Sequence, residues 1–377
     1  MSVPNVPPSP PAADRPLPAG QLASPSQTAP LLTVRGLTKT FPVVQSTLDR
    51  WRRQPRRAVQ ALTDVHLSVH RGETLGIVGE SGCGKSTLAR CLVRLYDADS
   101  GAVQYGGQEV TTLRGAALRQ YNRRVQMIFQ DPYSSLNPRM SVGQVLREVL
   151  SVHRMRPPSQ QDARVQELLR LVGLPPEAAG RLPQDFRGGQ RQRIGIARAL
   201  ALEPECLIAD ELVSALDVSV QAQVVNLLLD LQERLNLTVL FVAHDLRLVR
   251  HLSHRVAVMY LGRVVEVAAT DRMFSAPLHP YTQALLAAAP SLDPAQRTAA
   301  PALSGELPSP LNIPSGCAFR TRCPQAFARC AEERPALITV EGGAQVACHL
   351  YAPAAGGEPD PGHMPAPATR PAVNVAP

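Results

Sequence analysis

The chain has 377 residues, of which 44% are hydrophobic and 19% are charged. This length predicts about two to three domains of about 150 residues each, with enough apolar side chains for a sizeable core. The composition excludes a coiled coil, a collagen-like chain and a small disulfide scaffold, and no run reaches the ~18 consecutive apolar residues of a membrane-spanning helix. The net charge of +8 favours anionic partners such as nucleic acid, phosphates or an acidic lipid surface. The first residues lack a basic start followed by an apolar run, which argues against a secretory signal peptide and favours the cytosol.

Proline-rich segments flank the predicted folded region. Residues 1–30 and 352–377 contain many of the 36 prolines and few large apolar side chains, so both are predicted to be disordered tails. Between them, Leu31–Thr40 and Ala58–Val69 show a rough alternation of polar and apolar residues, which predicts half-buried antiparallel strands. The arginine-rich insertion around Trp51 separates these two strands and is interpreted as a solvated loop.

Four short apolar runs predict strands that are buried on both faces, as in a parallel sheet. These runs are Thr74–Val78, Val125–Phe129, Cys206–Ala209 and Thr238–Ala243. Residues 140–200 are predicted to be mostly helical with a proline break at 156–158, and residues 256–267 to form a hairpin. A short helix is predicted over Leu278–Ala289, and the chain beyond it is loop-rich and carries clustered cysteines.

A glycine-rich segment follows the first apolar run and matches the P-loop pattern G-x-x-x-x-G-K-[ST]. It consists of Gly79, Glu80, Ser81, Gly82, Cys83, Gly84, Lys85, Ser86 and Thr87. Glycines allow the backbone N–H groups to surround a phosphate, and the dipole of the following helix adds to the attraction. Lys85 is predicted to contact the β- and γ-phosphates of a nucleotide, and Ser86 to bind Mg²⁺. The buried strand before the loop and the helical residues after it are the context that such a site requires.

Two adjacent carboxylates, Asp210 and Glu211, end the third apolar run. At the tip of a buried strand, Asp210 is predicted to hold Mg²⁺ through water, and Glu211 to orient or deprotonate the attacking water. An ordinary acidic strand end would be the better interpretation if the pair occurred alone. Combined with the P-loop, the pair predicts a nucleotide-hydrolysing site.

Further features follow the P-loop in a specific order. They are Gln130 after the second run, a helix opening at Arg187, Gly188, Gly189 and Gln190, a Ser-Ala-Leu-Asp segment ending at Asp217, and His244 after the fourth run. This ordered set resembles the ATPase subunits of ABC transporters over residues 31–270. The resemblance implies the α/β fold of a P-loop NTPase, with a mixed-sheet core, an antiparallel β subdomain and a helical subdomain at about residues 131–204. It also implies ATP and Mg²⁺ as cofactors.

The resemblance also implies roles for these residues. Gln130 would bind Mg²⁺ and communicate with a membrane subunit, while Glu211 and His244 would support in-line attack of water. The helix opened by glycines would act in trans, because in this family it caps the γ-phosphate held by the P-loop of a second subunit. Two positions depart from the family pattern: Arg187 stands where serine is usual, and Leu212 stands where proline is usual. The first change alters the contact in trans, and the second alters the turn that leads to Asp217.

A narrower resemblance concerns residues 130–140, 279–282 and 305–310, which are similar to the oligopeptide/dipeptide importer branch of the family. The Ser-Leu-Asn-Pro-Arg-Met run within the first range is similar to the second ATPase of the usual unlike pair. The resemblance implies peptide import, with a second ABC ATPase, two membrane permease subunits and an extracytoplasmic substrate-binding protein as partners. The chain would then lie at the cytoplasmic face of the membrane, and no nucleic-acid partner is expected.

Other functions are compatible with the residues. A soluble ABC ATPase acting on nucleic acid would suit the positive charge, but such proteins typically fuse two ATPase units or insert a long coiled coil. An importer subunit for another cargo, such as nickel, would share the same motifs, because other subunits select the cargo. A non-catalytic regulatory subunit would explain Arg187, whereas the intact Glu211 and His244 argue against it.

Four cysteines crowd the predicted C-terminal extension at residues 271–351. They are Cys317, Cys323, Cys330 and Cys348. In a cytosolic, loop-rich segment such a set is more often a group of metal ligands than of disulfides, and four thiolates suit zinc or an iron–sulfur cluster. Free thiols are the remaining interpretation, and His349 is interpreted as a bystander. The importer resemblance implies a [4Fe–4S] cluster on these cysteines.

The adenine ring needs a stacking partner, which this family takes from an aromatic residue on the early strands. Phe41 is the candidate, with Val59 as an apolar floor beneath the base. Trp51 is the alternative, although its arginine-rich surroundings favour exposure. An ordinary core position for Phe41 is the competing interpretation.

Overall fold

The structure, a computed structural model, describes residues 29–43, 57–130, 136–214, 216–288 and 305–352. The predicted tails lie almost entirely outside these ranges, as do Trp51 and residues 131–135. Within the described ranges, no helix is both long enough and apolar enough to cross a membrane.

The first sheet is antiparallel and has the strand order β2-β1-β4-β5. Its strands are β1 (Leu32–Pro42), β2 (Ala58–Val69), β4 (Ser100–Tyr105) and β5 (Gln108–Glu109). Buried residues alternate with more exposed ones in the second half of β2, so one face covers the core and the other faces outward. The two antiparallel strands predicted from alternation are confirmed, and their register places Phe41 opposite Val59.

The second sheet is mixed and has the order β11-β12-β10-β9-β3-β8-β7-β6. Its parallel strands are β3 (Thr74–Val78), β6 (Val125–Ile128), β7 (Cys206–Asp210), β8 (Thr238–Val242) and β9 (Arg255–Tyr260). Its antiparallel strands are β10 (Arg263–Ala269), β11 (Ile338–Thr339) and β12 (Gln345–Val346). The carboxyl ends of the parallel strands share one edge of the sheet, where ligands usually bind. The P-loop and the predicted site residues that follow β6, β7 and β8 lie at this edge.

Both faces of the mixed sheet are covered, as its continuous apolar runs predict. Every residue of β3, β7 and β8 is buried. In β8, Leu240 and Val242 belong to the core shared with the antiparallel sheet, whereas Val239 and Phe241 belong to the core shared with the helices. This division follows from the two-residue period of a strand.

α-Helices lie in several of the described connections between the strands. They are α1 (Lys85–Leu92), α2 (Gly115–Arg124), α3 (Val142–Val152), α4 (Pro158–Leu171), α5 (Gly188–Leu200), α6 (Val218–Leu235), α7 (Leu246–Leu252), α8 (Thr270–Ser275), α9 (Pro280–Ala287) and α10 (Ala328–Glu332). Helix α3 begins at a capping box between Ser141 and Gln144, and Pro158 lies in the first turn of α4. The predicted helical region with its proline break is confirmed, and so are the hairpin and the helix at α9.

The C-terminal extension is continuous with the mixed sheet. β12 pairs with β10, where Val346 lies opposite Glu266, and β11 pairs with β12. A division of the chain at residue 270 therefore does not separate two sheets, because the extension contributes two short strands to the sheet that carries the P-loop. Outside these strands the extension is loop-rich, as the sequence predicts.

Helix α9 begins at a buried polar arrangement. Glu266 accepts the backbone N–H groups of Leu278 (2.8 Å) and His279 (2.9 Å), and His279 Nδ1 accepts the N–H of Tyr281 (3.0 Å). Glu266 and His279 are both buried, and burial lowers the pKa of His279 to about 4 and raises the pKa of Glu266. The imidazole therefore caps the helix in its neutral form.

We expect the protein to lose stability as the pH falls from about 6.5 to about 4, because the unfolded state binds a proton at His279 more readily than the folded state does. The difference between the two pKa values corresponds to about 3 kcal/mol of unfolding free energy across this window. Thermal unfolding of wild type and His279→Asn at several pH values checks this, since asparagine keeps a capping acceptor that does not titrate.

Glu266 is present in both proteins, so its contribution to the pH dependence of stability cancels when wild type and variant are compared. Its raised pKa has the opposite effect, because it favours the folded state as the pH falls. The variant should show a shallower loss of stability toward acid pH. Parallel curves for the two proteins would contradict the assignment to His279.

Candidate active site

The P-loop between β3 and α1 depends on glycine for its conformation. Gly79 and Gly84 have φ angles of 151° and 105°, which residues other than glycine rarely adopt. A Cβ atom at Gly79 would lie 2.2 Å from the carbonyl oxygen of Met259, and one at Gly84 would lie 2.3 Å from that of Ala61. The loop can therefore fold in this way only with glycine at both positions.

Lys85, the first residue of α1, is buried. Its Nζ donates to the carbonyl oxygens of Gly79 (2.8 Å) and Glu80 (3.1 Å), which fix the ammonium group beside the loop. Both partners are neutral, so the positive charge of the ammonium is available to a phosphate.

Ser86 and Asp210 meet where the start of α1 adjoins the end of β7. Ser86 Oγ donates to Asp210 Oδ1 at 2.8 Å. Asp210 is 1% exposed, and burial raises the pKa of its carboxyl group. A hydroxyl group beside a buried carboxylate suits Mg²⁺, whose charge would favour the ionised carboxylate. The structure thus brings together the two side chains predicted to hold the metal.

Glu211 follows Asp210 with φ 46°, a left-handed conformation that is uncommon for a residue with a side chain. Its N–H donates to the carbonyl oxygen of Val242 (3.0 Å), and the carbonyl oxygen of Glu211 accepts from Ser214 Oγ (3.0 Å). Gln130 Nε2 donates to Glu211 Oε2 at 2.6 Å. The structure therefore joins Gln130 to Glu211, and the contact of Gln130 with Mg²⁺ stays a prediction.

His244 follows β8 and is exposed. It lines, together with Glu211, a cavity of about 30 Å³. One water molecule needs about 10–15 Å³ of such space, so the cavity has room for it. The two residues predicted to direct the attacking water therefore share one cavity.

Helix α5 begins with half of the usual capping box. The N–H of Arg187 donates to Gln190 Oε1 at 3.1 Å. The other half needs a side-chain acceptor at position 187, which serine would supply and arginine cannot. Arg187 and Gln190 are exposed, as is Asp217 at the start of α6. Arg187 and Gln190 are therefore accessible to a second subunit, as the predicted role of this helix in trans requires.

Glycine at position 189 is needed for the packing of α5 against α6, as well as for the predicted approach of α5 to a phosphate. A Cβ atom at Gly189 would lie 2.2 Å from Val220 Cγ1 in α6, and one at Gly188 would lie 2.9 Å from Leu216 Cδ2. The two glycines therefore allow the start of α5 to pack closely against the start of α6. This structural reason adds to the one predicted from the sequence.

Comparison with known proteins identifies the family. The family model described as ABC transporter matches residues 62–214, and the model described as oligopeptide/dipeptide transporter, C-terminal region, matches residues 265–330. The chain is 53% identical over 325 residues to the "Probable peptide ABC transporter ATP-binding protein y4tS" of Sinorhizobium fredii, with 86% of this chain and 91% of that protein covered. The chain belongs to the family of ABC transporter ATP-binding proteins.

Two further relatives agree with this assignment. The ABC ATPase is 48% identical over 324 residues to the oligopeptide transport ATP-binding protein AppF of Bacillus subtilis, with 85% of this chain and 97% of AppF covered. A solved dimeric structure of the ATP-binding cassette MJ0796, in a post-hydrolysis state bound to ADP and Pi, has 27% identity and a TM-score of 0.55. That match covers 63% of this chain and 98% of the solved one. The predicted fold class and the ATPase activity are confirmed.

Phe41, the predicted adenine platform of the ABC ATPase, is half-buried near the end of β1. Its ring packs edge-on against Tyr96 with 5.3 Å between centroids, and Lys39 Nζ lies 5.5 Å from its centroid. Val59 is its neighbour on β2. These contacts hold the ring in place, while its stacking on adenine stays a prediction.

Leu212, which replaces the usual proline of the family, is a core residue with 1% exposure. Packing therefore holds the start of the turn toward Asp217, although the backbone lacks the restriction that proline would impose. The two departures from the family pattern therefore differ, because Arg187 is exposed whereas Leu212 is buried.

Two residues that were not predicted from the sequence, Gln221 and Arg322, both support the site. Gln221 Nε2 donates to the carbonyl oxygens of Val213 and Leu216, each at 2.9 Å, and so holds the segment between the acidic pair and α6. Gln221 lies in the first turn of α6, and nothing in its local sequence indicates these contacts. Arg322 pairs with Glu80 of the P-loop, 242 residues away, and nothing in its local sequence indicates that partner.

All seven cysteines of the ABC ATPase are free thiols. Cys83, Cys91 and Cys206 are buried core residues. Burial raises the pKa of Cys91 to about 11 and that of Cys206 to about 12, so both are protonated at neutral pH. Protonated thiols in such buried positions are inert core side chains.

The four thiols of the extension lie close enough to influence one another. Burial raises the pKa of Cys348 to about 12, and the thiols of Cys317, Cys323 and Cys330 each add to that effect. Throughout the described part of the chain, however, no group of three or more His, Cys, Asp or Glu side chains is placed to hold a metal ion. This geometry does not support the zinc interpretation, because a zinc site needs its ligands to meet around one ion.

Proposed function

We propose that this ABC ATPase powers the import of dipeptides and oligopeptides across the cytoplasmic membrane. The observation that carries the proposal is the C-terminal extension, which adds strands β11 and β12 to the ATPase sheet and packs α9 beside the P-loop. The family description of this region and the names of the relatives both support peptides as the class of cargo.

The site residues of this chain have separate roles in ATP binding and hydrolysis. Lys85 and the P-loop amides bind the β- and γ-phosphates of ATP, while Ser86 and Asp210 would hold Mg²⁺. Bound Mg²⁺ neutralises phosphate charge. Glu211 orients the attacking water and accepts its proton, with Gln130 hydrogen-bonded to its carboxylate and His244 lining the same cavity.

The importer needs further subunits around this chain. A second, unlike ABC ATPase would form the head-to-tail dimer, two permease subunits would span the membrane, and an extracytoplasmic binding protein would deliver the cargo. The exposed positions of Arg187, Gln190 and Asp217 support an ATP site completed in trans. The chain would lie on the cytoplasmic face of the membrane.

Purification of the tagged full chain with its native partners tests the proposal. We expect two membrane proteins and a second ABC ATPase to be recovered, and the complex in proteoliposomes to take up labelled di- and pentapeptides only with ATP. Recovery with nucleic acid and without membrane proteins would contradict it in favour of the soluble ATPase. Uptake of ⁶³Ni²⁺ without uptake of peptide would contradict the cargo class.

We also propose that Cys317, Cys323, Cys330 and Cys348 bind a [4Fe–4S] cluster. Each thiolate would bind a different iron atom of the cluster, so the four sulfur atoms need not meet at one point. Their mutual proximity supports this donor set, as does their shielding from solvent, since Cys330 is buried and the other three are half-buried.

Anaerobically purified protein is then expected to be brown and to contain about four iron and four sulfide atoms per chain. Cys323→Ser should lose the colour and most of the iron, because one of the four ligands is missing. Cys91→Ser is the matched control, since Cys91 is buried in α1, away from the extension, and should keep both. A colourless anaerobic preparation, or one with a single zinc per chain, would contradict the cluster.

A further inference from the structure

Arg322 of the C-terminal extension forms a bidentate ion pair with Glu80 of the P-loop. Its Nη1 lies 2.7 Å from Glu80 Oε2, and its Nη2 lies 3.0 Å from Glu80 Oε1. This parallel arrangement is the strong geometry for a guanidinium and a carboxylate. The side chains are 4% and 24% exposed, so water screens this pair less than the ion pairs at the surface.

All three polar groups of Glu80 are bound by other residues. Its N–H donates to Tyr281 Oη at 2.9 Å, its carbonyl oxygen accepts from Lys85 Nζ at 3.1 Å, and its carboxylate binds Arg322. Two of these partners belong to the extension, and the third is the phosphate-binding lysine. Glu80 therefore connects the extension directly to Lys85.

A buried aromatic cluster orients the turn that carries Arg322. Phe319 packs against Tyr260 at the end of β9 and against Tyr281 in α9, with 5.3 Å between ring centroids in each case. The N–H of Arg322 donates to the carbonyl oxygen of Phe319 at 2.9 Å. The turn that anchors Phe319 in the cluster thus also directs Arg322 toward the P-loop.

We propose that Arg322 is a positioning residue for ATP binding, which neutralises and holds Glu80 so that the P-loop accepts the triphosphate. Without Arg322, the Glu80 carboxylate would lie unpaired in the loop that surrounds the phosphates and would repel them. The same carboxylate could then turn toward Lys85 and compete with ATP for the ammonium group. Because Arg322 lies between Phe319 and Cys323, ATP affinity depends on the folding of the cysteine-containing turn.

This role depends on the ATPase activity and is independent of the cargo and of any cluster. A purely structural role would require only that Arg322 stabilise the fold. A variant in which Arg322 and Glu80 are both neutralised distinguishes the two roles. In that variant the Glu80 carboxylate no longer repels the phosphates, whereas the lost ion pair is not restored.

Calorimetric titration of the full chain with ATP tests the proposal in Arg322→Gln, Glu80→Gln and the double variant. Arg329→Gln is the matched control, because Arg329 forms an ion pair with Glu333 in the same segment and that pair is exposed. We expect Arg322→Gln to weaken ATP binding about tenfold, the double variant to recover to within about threefold of wild type, and the control to bind normally. Arg322→Lys should lie between, because lysine keeps the charge and loses the bidentate geometry.

Thermal unfolding in the absence of nucleotide accompanies each titration. Wild-type ATP affinity in Arg322→Gln, with only the melting temperature lowered, would overturn the proposal in favour of a structural role. A double variant as weak as Arg322→Gln would overturn it too, because the defect would not act through Glu80.

Because coupling between two sites is reciprocal, hydrogen exchange provides a second test that does not require ATP hydrolysis. If the ordered turn strengthens ATP binding, bound ATP must in return stabilise the turn. Hydrogen exchange of the amides in residues 317–330 is therefore expected to slow when ATP binds to wild type, and this protection should disappear in Arg322→Gln at saturating ATP. Equal protection in both proteins would overturn the proposal.

Discussion

Lys85→Ala is expected to weaken the binding of MgATP by at least about 100-fold, which corresponds to about 2.7 kcal/mol. The Lys85 ammonium is buried and is fixed by the carbonyl oxygens of Gly79 and Glu80, so no other cation can take its place in the loop. Only two lysines, Lys39 and Lys85, occur among the 39 lysines and arginines of the chain. A lysine at this position fits the need for a compact ammonium group that touches two phosphates.

Isothermal titration calorimetry measures the effect of Lys85→Ala. Lys85→Arg should also lose most of the affinity, because the larger guanidinium does not fit the space beside the loop. Arg71→Ala is the control for the change in net charge, since it removes a cation from an exposed ion pair with Glu205. An affinity in Lys85→Ala within about threefold of wild type would contradict the assignment of the P-loop.

Glu211→Gln is expected to keep ATP affinity and to slow hydrolysis at the site built on this P-loop by about a hundredfold to a thousandfold. Glutamine preserves the size of the side chain but cannot accept a proton from the attacking water. The left-handed backbone at Glu211 and the hydrogen bond from Gln130 hold this carboxylate in place, so a neighbouring carboxylate cannot substitute. With the partner ATPase, the variant should accumulate as a closed dimer with ATP bound.

Single-turnover hydrolysis and size-exclusion chromatography check both parts of this expectation. Glu205→Gln is the matched control, because Glu205 lies just before β7 and forms an exposed ion pair with Arg71. It should hydrolyse ATP at the wild-type rate. Undiminished hydrolysis in Glu211→Gln would remove Glu211 from the mechanism, and Asp210 would have to be considered in its place.

Much of the fold could be predicted because its signals are local. The alternation in β2 and the continuous apolar runs of β3, β7 and β8 each depend on fewer than a dozen neighbouring residues. The same runs placed the P-loop, the acidic pair and His244 at the ends of parallel strands, and therefore at one edge of a sheet. The predicted end of β6 differs by one residue, since the strand ends at Ile128 and not at Phe129.

The extension could be predicted only in part. Its helix α9 carries a local signal, because Pro280 begins the helix and His279 caps it. Strands β11 and β12 have two residues each, which is too short for any periodic pattern, and their pairing with β10 depends on contacts between distant parts of the chain. The proximity of four cysteines was indicated by their spacing, whereas their failure to converge on one point could be seen only in the folded chain.

The chemistry of the site could be predicted from the sequence, because each predicted group lies in a contiguous segment: Gly79–Thr87 for the phosphates, Asp210 with Glu211 for the metal and the water. The contacts that hold these segments are visible only in the folded chain. The N–H of Glu211, which has a left-handed backbone, donates to Val242, and Glu80 of the P-loop pairs with Arg322, which lies 242 residues beyond it. Backbone conformation and strand periodicity are encoded among neighbouring residues, whereas a partner for a buried charge is selected by the packing of the whole chain.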